Sequence, residues 1–564
     1  MPDEALAYHE PGIIKILTLS SFLLLLNLVG TILDKLIYCG LLGQLFIGVA
    51  WGAPGAQWLS IPTQEVFVKL GYLGLILLVY EGGLSTNFQA LKSNLFLSVS
   101  VALTGIAAPI GISFVLMGLA GATLLQAFAA GAALCSTSLG TTFTVLKTSG
   151  LTQSRLGVVL TSAAILDDVV GLVMVQIISN LGVADSSFEA VTVIRPIAVS
   201  LAFAIVVPLV CGFAVKPLER RLRSLSKIIL SFLSKEQLAF SVHTAILIGF
   251  VVASSYAGTS NLFAAYLAGA SISWYDSEVV NVPDQSPEPQ RPAAIDRGAN
   301  AQDKADLRDS RGADAINSVS EHVAVNKPHL LPSPAASENG DPIESKVEVK
   351  FDDHHKALQE NDAVAVIPTN LARENSLELC KVGTGMSSWQ LYFEIPVRNI
   401  LKPLFFASIG FSIPISQMFA GSVIWRGVVY AVLMGLGKLL CGVWLVRFSS
   451  CSSPSEGPNP QAKGRKLPKP KSLYPASILG FAMVARGEIG FLISAVAESR
   501  GIFSSAGAEG SSELFLIVTW AIMLCTISGP IAVGLLTKRV RRLQEMERLS
   551  SGGREDPLGI WGVV

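Results

Sequence analysis

The stretch LTSAAILDDVVGLVMVQII (Leu160 to Ile178) decides how this chain is read. It is long and apolar enough to cross a bilayer as a helix, since about 20 residues span the hydrocarbon and the segment must satisfy its own backbone groups. Near its middle stand two adjacent carboxylates, Asp167 and Asp168. An ionisable residue at that depth costs about 2.5 to 3.5 kcal/mol on insertion scales, so such a pair is a functional feature by default. Successive helical residues point roughly 100° apart, which lets both acids line one crevice. Gly171, one turn further on, leaves room beside them. Carboxylate oxygens are hard ligands for a small cation, and the same oxygens take protons. A site held by one or the other couples the two by competition, which is the chemistry of exchange.

The rest of the chain is built to the same specification. Of 564 residues, 51% are hydrophobic and 15% charged, well below the roughly 25% charged share of a soluble protein, which removes a soluble enzyme from consideration. Formal net charge is zero, so nothing marks a basic nucleic-acid binder. The charge is also concentrated: Ser277 to Ser388 holds 30 of the 84 Asp, Glu, Lys and Arg residues. Seven cysteines without a CxxC pair argue against a disulfide framework or a zinc site and read as packing residues. No cofactor is called for.

Thirteen apolar stretches long enough to span succeed one another between residues 12 and 537. Residues 12–275 form a first membrane part with nine spans, and 276–388 a Pro-, Asp- and Ala-rich cytosolic linker expected to be disordered. Residues 389–537 carry four more spans, interrupted by a basic loop at 449–471, and 538–564 make a cytosolic tail. Arg220 to Gln237 reads as an amphipathic helix on the cytosolic surface. Lys and Arg collect on alternate loops: Lys35, Lys92, the Lys216 to Lys235 cluster and the Lys538 to Arg542 tail lie on one side, against Arg195, Arg426 and Arg500 on the other. The positive-inside rule then puts the N-terminus outside or in a lumen and the C-terminus in the cytosol.

Other polar residues inside spans are expected to serve the acid pair. Lys438 in LMGLGKLLCGVW sits too deep to snorkel and needs a partner, as do Arg486 and Glu488 in FAMVARGEIGFLI. Glu81 and His243 are isolated and read equally well as satisfied interior groups. In CSTSLGTTFTV (Cys135 to Val145), small hydroxyl residues surround Gly140; an unwound helix there offers carbonyl oxygens and two half-helix ends to an ion. Ser and Thr also pack well between membrane helices, so this element gains weight only beside the aspartates.

Four segments together, Gly131 to Met174, Leu73 to Asn94, Arg398 to Ile413 and Met483 to Ser494, resemble the monovalent cation/proton antiporter superfamily. The branch they look like contains bacterial sodium/proton antiporters and the Kef-type potassium systems. The resemblance implies an all-α polytopic fold of two inverted repeats with broken crossing helices, near Thr137/Ser138 and around Arg486 to Gly490. It further implies a core domain moving against a dimerisation domain, and a homodimer. By the same resemblance Asp168 matches the indispensable cation and proton carboxylate, Asp167 its companion and Thr137 the hydroxyl at the break, with Ser138 beside it. Lys438 matches the basic partner and Glu488 the acid of the second broken helix, with Arg486 as a further balancing charge. The long acidic linker is a departure from the pattern.

The expected activity is exchange of Na⁺ or K⁺ for protons across a membrane by alternating access, with lipid as the surrounding solvent. Stoichiometry decides whether voltage drives it, at about 2.3 kcal/mol per elementary charge per 100 mV. A Kef-type potassium efflux or channel-like system is the alternative, recognised by uncoupled K⁺ flux. An intramembrane aspartyl protease needs aspartates on two facing helices and a Gly-x-Gly-Asp element; here the acids are sequence neighbours.

Overall fold

The computed structural model describes residues 10–138, 140, 150–152, 154–182, 190–210, 213, 235–280, 384–448, 472–504, 512–549 and 557–562, all within one unit of the chain. The basic loop at 449–471 lies outside them, as do nearly all of the 276–388 linker and most of the amphipathic stretch from Arg220. All regular structure among the described residues is helical. The principal helices are α1 (Ile13–Ile37), α2 (Gly40–Trp51), α3 (Ile61–Leu84), α4 (Leu95–Ser113), α5 (Leu124–Ala133), α6 (Arg155–Leu181), α7 (Ala190–Val210), α8 (Lys235–Ala257) and α9 (Asn261–Val280). After the linker come α10 (Lys402–Gly410), α11 (Gly421–Leu439), α12 (Tyr474–Val484), α13 (Glu488–Ser499) and α14 (Glu513–Leu549).

Eight helical segments among the described residues are long and apolar enough to cross a membrane, and α2, α5 and part of α7 add shorter apolar helices. The protein is an all-α, multi-pass integral membrane protein. Its outward faces fit that solvent: Leu201 and Ile205 on α7 and Ile248 and Val252 on α8 are exposed, a face that water would penalise and lipid does not. Lipid gives no hydrophobic drive to helix association, so the helices meet where side chains are small. Gly83 of α3 lies against the backbone of α9, and Gly269 of α9 against the backbone of α3. Gly48 of α2 meets Ala407 of α10 in the same way.

Prolines in the helices free carbonyls, and each such carbonyl needs another donor. Pro403 cannot bond the carbonyl of Asn399, the helix widens to a π turn at Val397–Leu401, and Asn27 of α1 supplies the missing donor at 2.9 Å. Pro109 in α4 likewise leaves the carbonyl of Gly105 without its helical donor.

The two ends of the long linker meet. α9 runs on to Val280, and Asp276, just beyond the expected end of the ninth span, accepts the N–H of Gly385 at 2.7 Å, so its carboxylate caps the helix Gly385–Tyr392. Burial raises the Asp276 carboxyl from 3.8 to about 6, against the opposing effect of the Gly385 bond. The folded form therefore binds a proton more tightly than the unfolded one, and the stabilisation from protonation is complete below pH 3.8 and lost as pH rises through about 6. In detergent melts, the apparent Tm of wild type relative to Asp276→Asn is expected to rise as pH falls from 7 to 4; a constant difference would show that this carboxyl does not titrate there.

Candidate functional site

Two helices break at the same place in the bundle. α5 ends at Ala133, and residues 135–138 run on without helical pairing. α12 ends at Val484 and α13 begins at Glu488, with Ala485 to Gly487 extended between them. The breaks are joined by a bond from Ser138 N–H to the Ala485 carbonyl at 2.9 Å. A Cβ on Gly487 would come within 2.7 Å of the Ser138 side chain, so the crossing requires glycine there. Gly487→Ala is expected to spread the breaks, costing about 1 to 3 kcal/mol as an overpacked contact and depressing transport measured in proteoliposomes. Wild-type behaviour of this variant would mean the contact yields.

Lys438, near the end of α11, projects into this crossing and uses all three of its donors. Its Nζ lies 2.5 Å from the Cys135 carbonyl, 2.9 Å from Thr137 Oγ1 and 2.7 Å from Asp167 Oδ2. Thr137 Oγ1 in turn donates to Asp167 Oδ2 at 2.5 Å. Lysine and aspartate are both fully buried. Burying two charges is tolerable only when they pair closely and their remaining hydrogen-bonding capacity is met. The unwound segment after α5 meets that need for Lys438, because a helix end leaves carbonyls such as that of Cys135 free, while Asp167 Oδ1 has no hydrogen-bond partner among the described residues.

Asp168 is placed differently. It is half-buried, and among the described residues it has neither a hydrogen bond nor an ion pair. Its charged neighbours are Glu488, Asp167 and Lys438. Glu488 opens α13 and is also half-buried. The room beside the acids is used as expected: a Cβ on Gly171 would sit 3.0 Å from Ser136 Cβ and 3.1 Å from Ile489 Cγ2, so both breaks press against α6 there. A cavity of about 320 Å³, lined in part by Gln176, Ser179, Thr259, Ser260 and Asn261, opens toward the C-terminal end of α6. Its lining residues Val175 and Ser179 follow Asp168 at helical spacing, about 10 and 16 Å along the axis. Leu492, also in the lining, is one turn beyond Glu488.

Arg486 is fully buried but takes another role than partner to the acids. Its Nη1 donates to the Ser136 carbonyl at 3.0 Å and the Met483 carbonyl at 3.4 Å, while Nε and Nη2 have no hydrogen-bond partner among the described residues. It therefore ties one break to the other. Thr137 and Ser138 both lie in the crossing, the first on the ion pair and the second on the Ala485 bond. Glu81 and His243 take no part in the contacts described. Sequence reasoning expects free carbonyls in the Cys135 to Val145 stretch but offers them to an ion; that those of Cys135 and Ser136, with that of Met483, accept from Lys438 and Arg486 has no signature, because a backbone acceptor is not announced by its residue. Sequence reasoning also missed Gly105, whose added Cβ would lie 3.2 Å from Lys438 Nζ; Pro109, one turn on, was the available signal.

A family described as "Sodium/hydrogen exchanger, transmembrane" matches residues 20–282 and 391–539, well over half of the chain and both of its membrane parts. The chain belongs to this family. Among curated relatives, the high-affinity Na(+)/H(+) antiporter NhaS3 of Synechocystis sp. is 33% identical over 140 residues, 24% of this chain and 30% of the relative. Two Bacillus cereus proteins are similar to it as well. The probable Na(+)/H(+) antiporter GerT is 31% identical over 172 residues, 30% of this chain and 45% of the relative. The Na(+)/H(+)-K(+) antiporter GerN is 29% identical over 170 residues, 30% of this chain and 43% of the relative. The chain thus spans less than half the length of the curated relatives it matches. A solved structure, the sodium proton antiporter MjNhaP1 of Methanocaldococcus jannaschii, has a TM-score of 0.49 and 12% identity, covering 93% of this chain and 99% of that one. Family membership agrees with the resemblance carried by the acid pair and the helix break.

Proposed function

We propose that this protein is a secondary antiporter that exchanges Na⁺ or K⁺ for protons across a membrane by alternating access. The observation that carries this reading is the inequality of the two neighbouring acids. Asp167 is committed to Lys438 and Thr137 in a dry crossing, whereas Asp168 is half-buried, has no hydrogen-bond or ion-pair partner among the described residues, and lies on the helix face continued by Val175 and Ser179 of the polar cavity. A lone carboxylate at this depth must hold a proton or a cation, because a bare charge is too costly there. Loading one releases the other, and only a neutralised site crosses cheaply. Thr137 and Ser138 set the backbone around the acids, Lys438 balances the charge of Asp167, Arg486 adds positive charge from its place tying the two breaks together, and Glu488 supplies a second acid beside Asp168. The relatives' names favour Na⁺, and that of GerN adds K⁺.

The finer architecture belongs to the same proposal. Thirteen spans in two inverted repeats, a core domain carrying the two breaks, a dimerisation domain, an outer N-terminus and a cytosolic C-terminus are supported by the paired breaks and by the loop charges. The domain limits at 12–275, 276–388, 389–537 and 538–564 rest on the composition of the sequence, with helices running on past the first and last of these boundaries, and a homodimer in lipid rests on the family resemblance.

The test is reconstitution in proteoliposomes with a lumenal pH dye, adding Na⁺, K⁺ and Li⁺ in turn with and without a clamped potential. Proton movement on adding a cation is expected. Cation flux without any proton movement would favour the channel-like alternative and end the exchange reading.

A further inference from the structure

Residues 538–564 read from sequence as a solvated tail, yet part of that tail is packed inside the protein. Helix α14 continues to Leu549, and Pro557 to Gly562 folds back, with a 3-10 turn at Gly559–Trp561. Leu558 is fully buried and Trp561 is 1% exposed. They complete an apolar cluster with Leu156 and Val159 near the start of α6 and Ile478 near the start of α12. Two specific contacts fix the register. The guanidinium of Arg155, the first residue of α6, lies 4.9 Å over the Trp561 ring, and the hydroxyl of Ser472, just before α12, donates to the Pro557 carbonyl.

The location of this socket gives it meaning. α6 carries Asp167 and Asp168, and the far end of α12 is the break that crosses Thr137 and Ser138. The segment therefore staples the near ends of the two helices whose far portions build the site. Between staple and site the same cluster continues through Leu160 and Ala163 on α6 and Leu479 and Ala482 on α12, so this end is closed by a dry column. The polar cavity lies toward the other end of α6. The staple is also poised to let go: the buried indole N–H of Trp561 has no hydrogen-bond partner among the described residues, a penalty that water would relieve on release.

We propose that Pro557 to Gly562 is an intramolecular peptide ligand of the transporter, docked across the starts of α6 and α12, and that its docking slows turnover by holding those two helices together. The slowing rests on the exchange reading above; the docking does not. A short peptide with leucine and tryptophan three residues apart is the kind of partner the socket fits.

The experiment uses the full chain in proteoliposomes and separates the two claims. With Ser472→Cys and Pro557→Cys together, oxidation is expected to join the pair, identified by mass spectrometry of the linked peptides, and to slow cation-induced proton movement until a reductant is added. Trp561→Ala is expected to raise the initial rate about five-fold, the factor of a modest contact. Arg155→Gln, which removes the cation over the ring without touching the tail, should act in the same direction. Failure of the pair to join overturns the docking. Joining that leaves the rate unchanged, with unchanged rates for Trp561→Ala and Arg155→Gln, overturns the brake. If the pair joins but no form moves protons on adding Na⁺ or K⁺, the exchange reading has failed and takes the brake with it, while the docking stands.

Discussion

Asp168→Asn proteoliposomes are expected to show no cation-induced proton movement, a loss of at least about a hundredfold. Asparagine keeps the shape and an acceptor oxygen but can neither lose a proton nor carry the negative charge that holds a cation. Removing one charged member of a buried interaction costs about 2 to 5 kcal/mol, and roughly 2.7 kcal/mol already accounts for a hundredfold. Stability should change little, because Asp168 is half-buried and has no hydrogen-bond or ion-pair partner among the described residues to lose. The informative result is therefore a well-folded protein that does not exchange. Residual exchange near the wild-type rate would remove Asp168 from the mechanism.

Lys438→Gln is expected to act on stability first. Asp167 would then keep a buried charge with only Thr137 to answer it, and breaking a buried pair by deleting one member costs about 3 to 5 kcal/mol. The apparent Tm in detergent should fall, and the pH dependence or electrogenicity of transport should change in the molecules that remain folded. Lys438→Gln combined with Asp167→Asn should recover most of the lost stability, since a neutral hydrogen-bonded pair leaves no uncompensated charge. A double variant as unstable as the single one would mean that Lys438 matters for its bonds to Cys135 and Thr137 rather than for its charge. An unchanged Tm in the single variant would contradict the pairing altogether.

Much of the fold was legible in the sequence because a membrane span is a local property. Ile13–Ile37 can be read from its apolar length, since lipid demands that each helix satisfy its own backbone, whereas Glu513–Leu549 is legible only to about residue 537, because its last turns carry Lys538, Arg539, Arg541 and Arg542 and read as tail. The anomaly of Asp167 and Asp168 was equally local. The break after α5 was partly legible in CSTS, but its role as the carbonyl partner of Lys438 was not, because nothing in a residue's identity announces that its carbonyl is free. The tail misled for a related reason: Leu558 and Trp561 lie in the short run PLGIWGVV, where a Pro and two Gly interrupt the apolar residues, and so short a run has no period from which burial can be read.

The sequence by itself determined that two acids would lie at the depth of the bilayer and that something must answer their charge, because an unpaired charge is costly at that depth whatever surrounds the helix. Only the tertiary structure decided which acid is answered. Lys438 and Asp167 are 271 positions apart, and their meeting depends on how α11, α6 and the broken end of α5 cross. Adjacent residues on a helix point in different directions, so one aspartate was turned into that dry crossing and the other toward the open face.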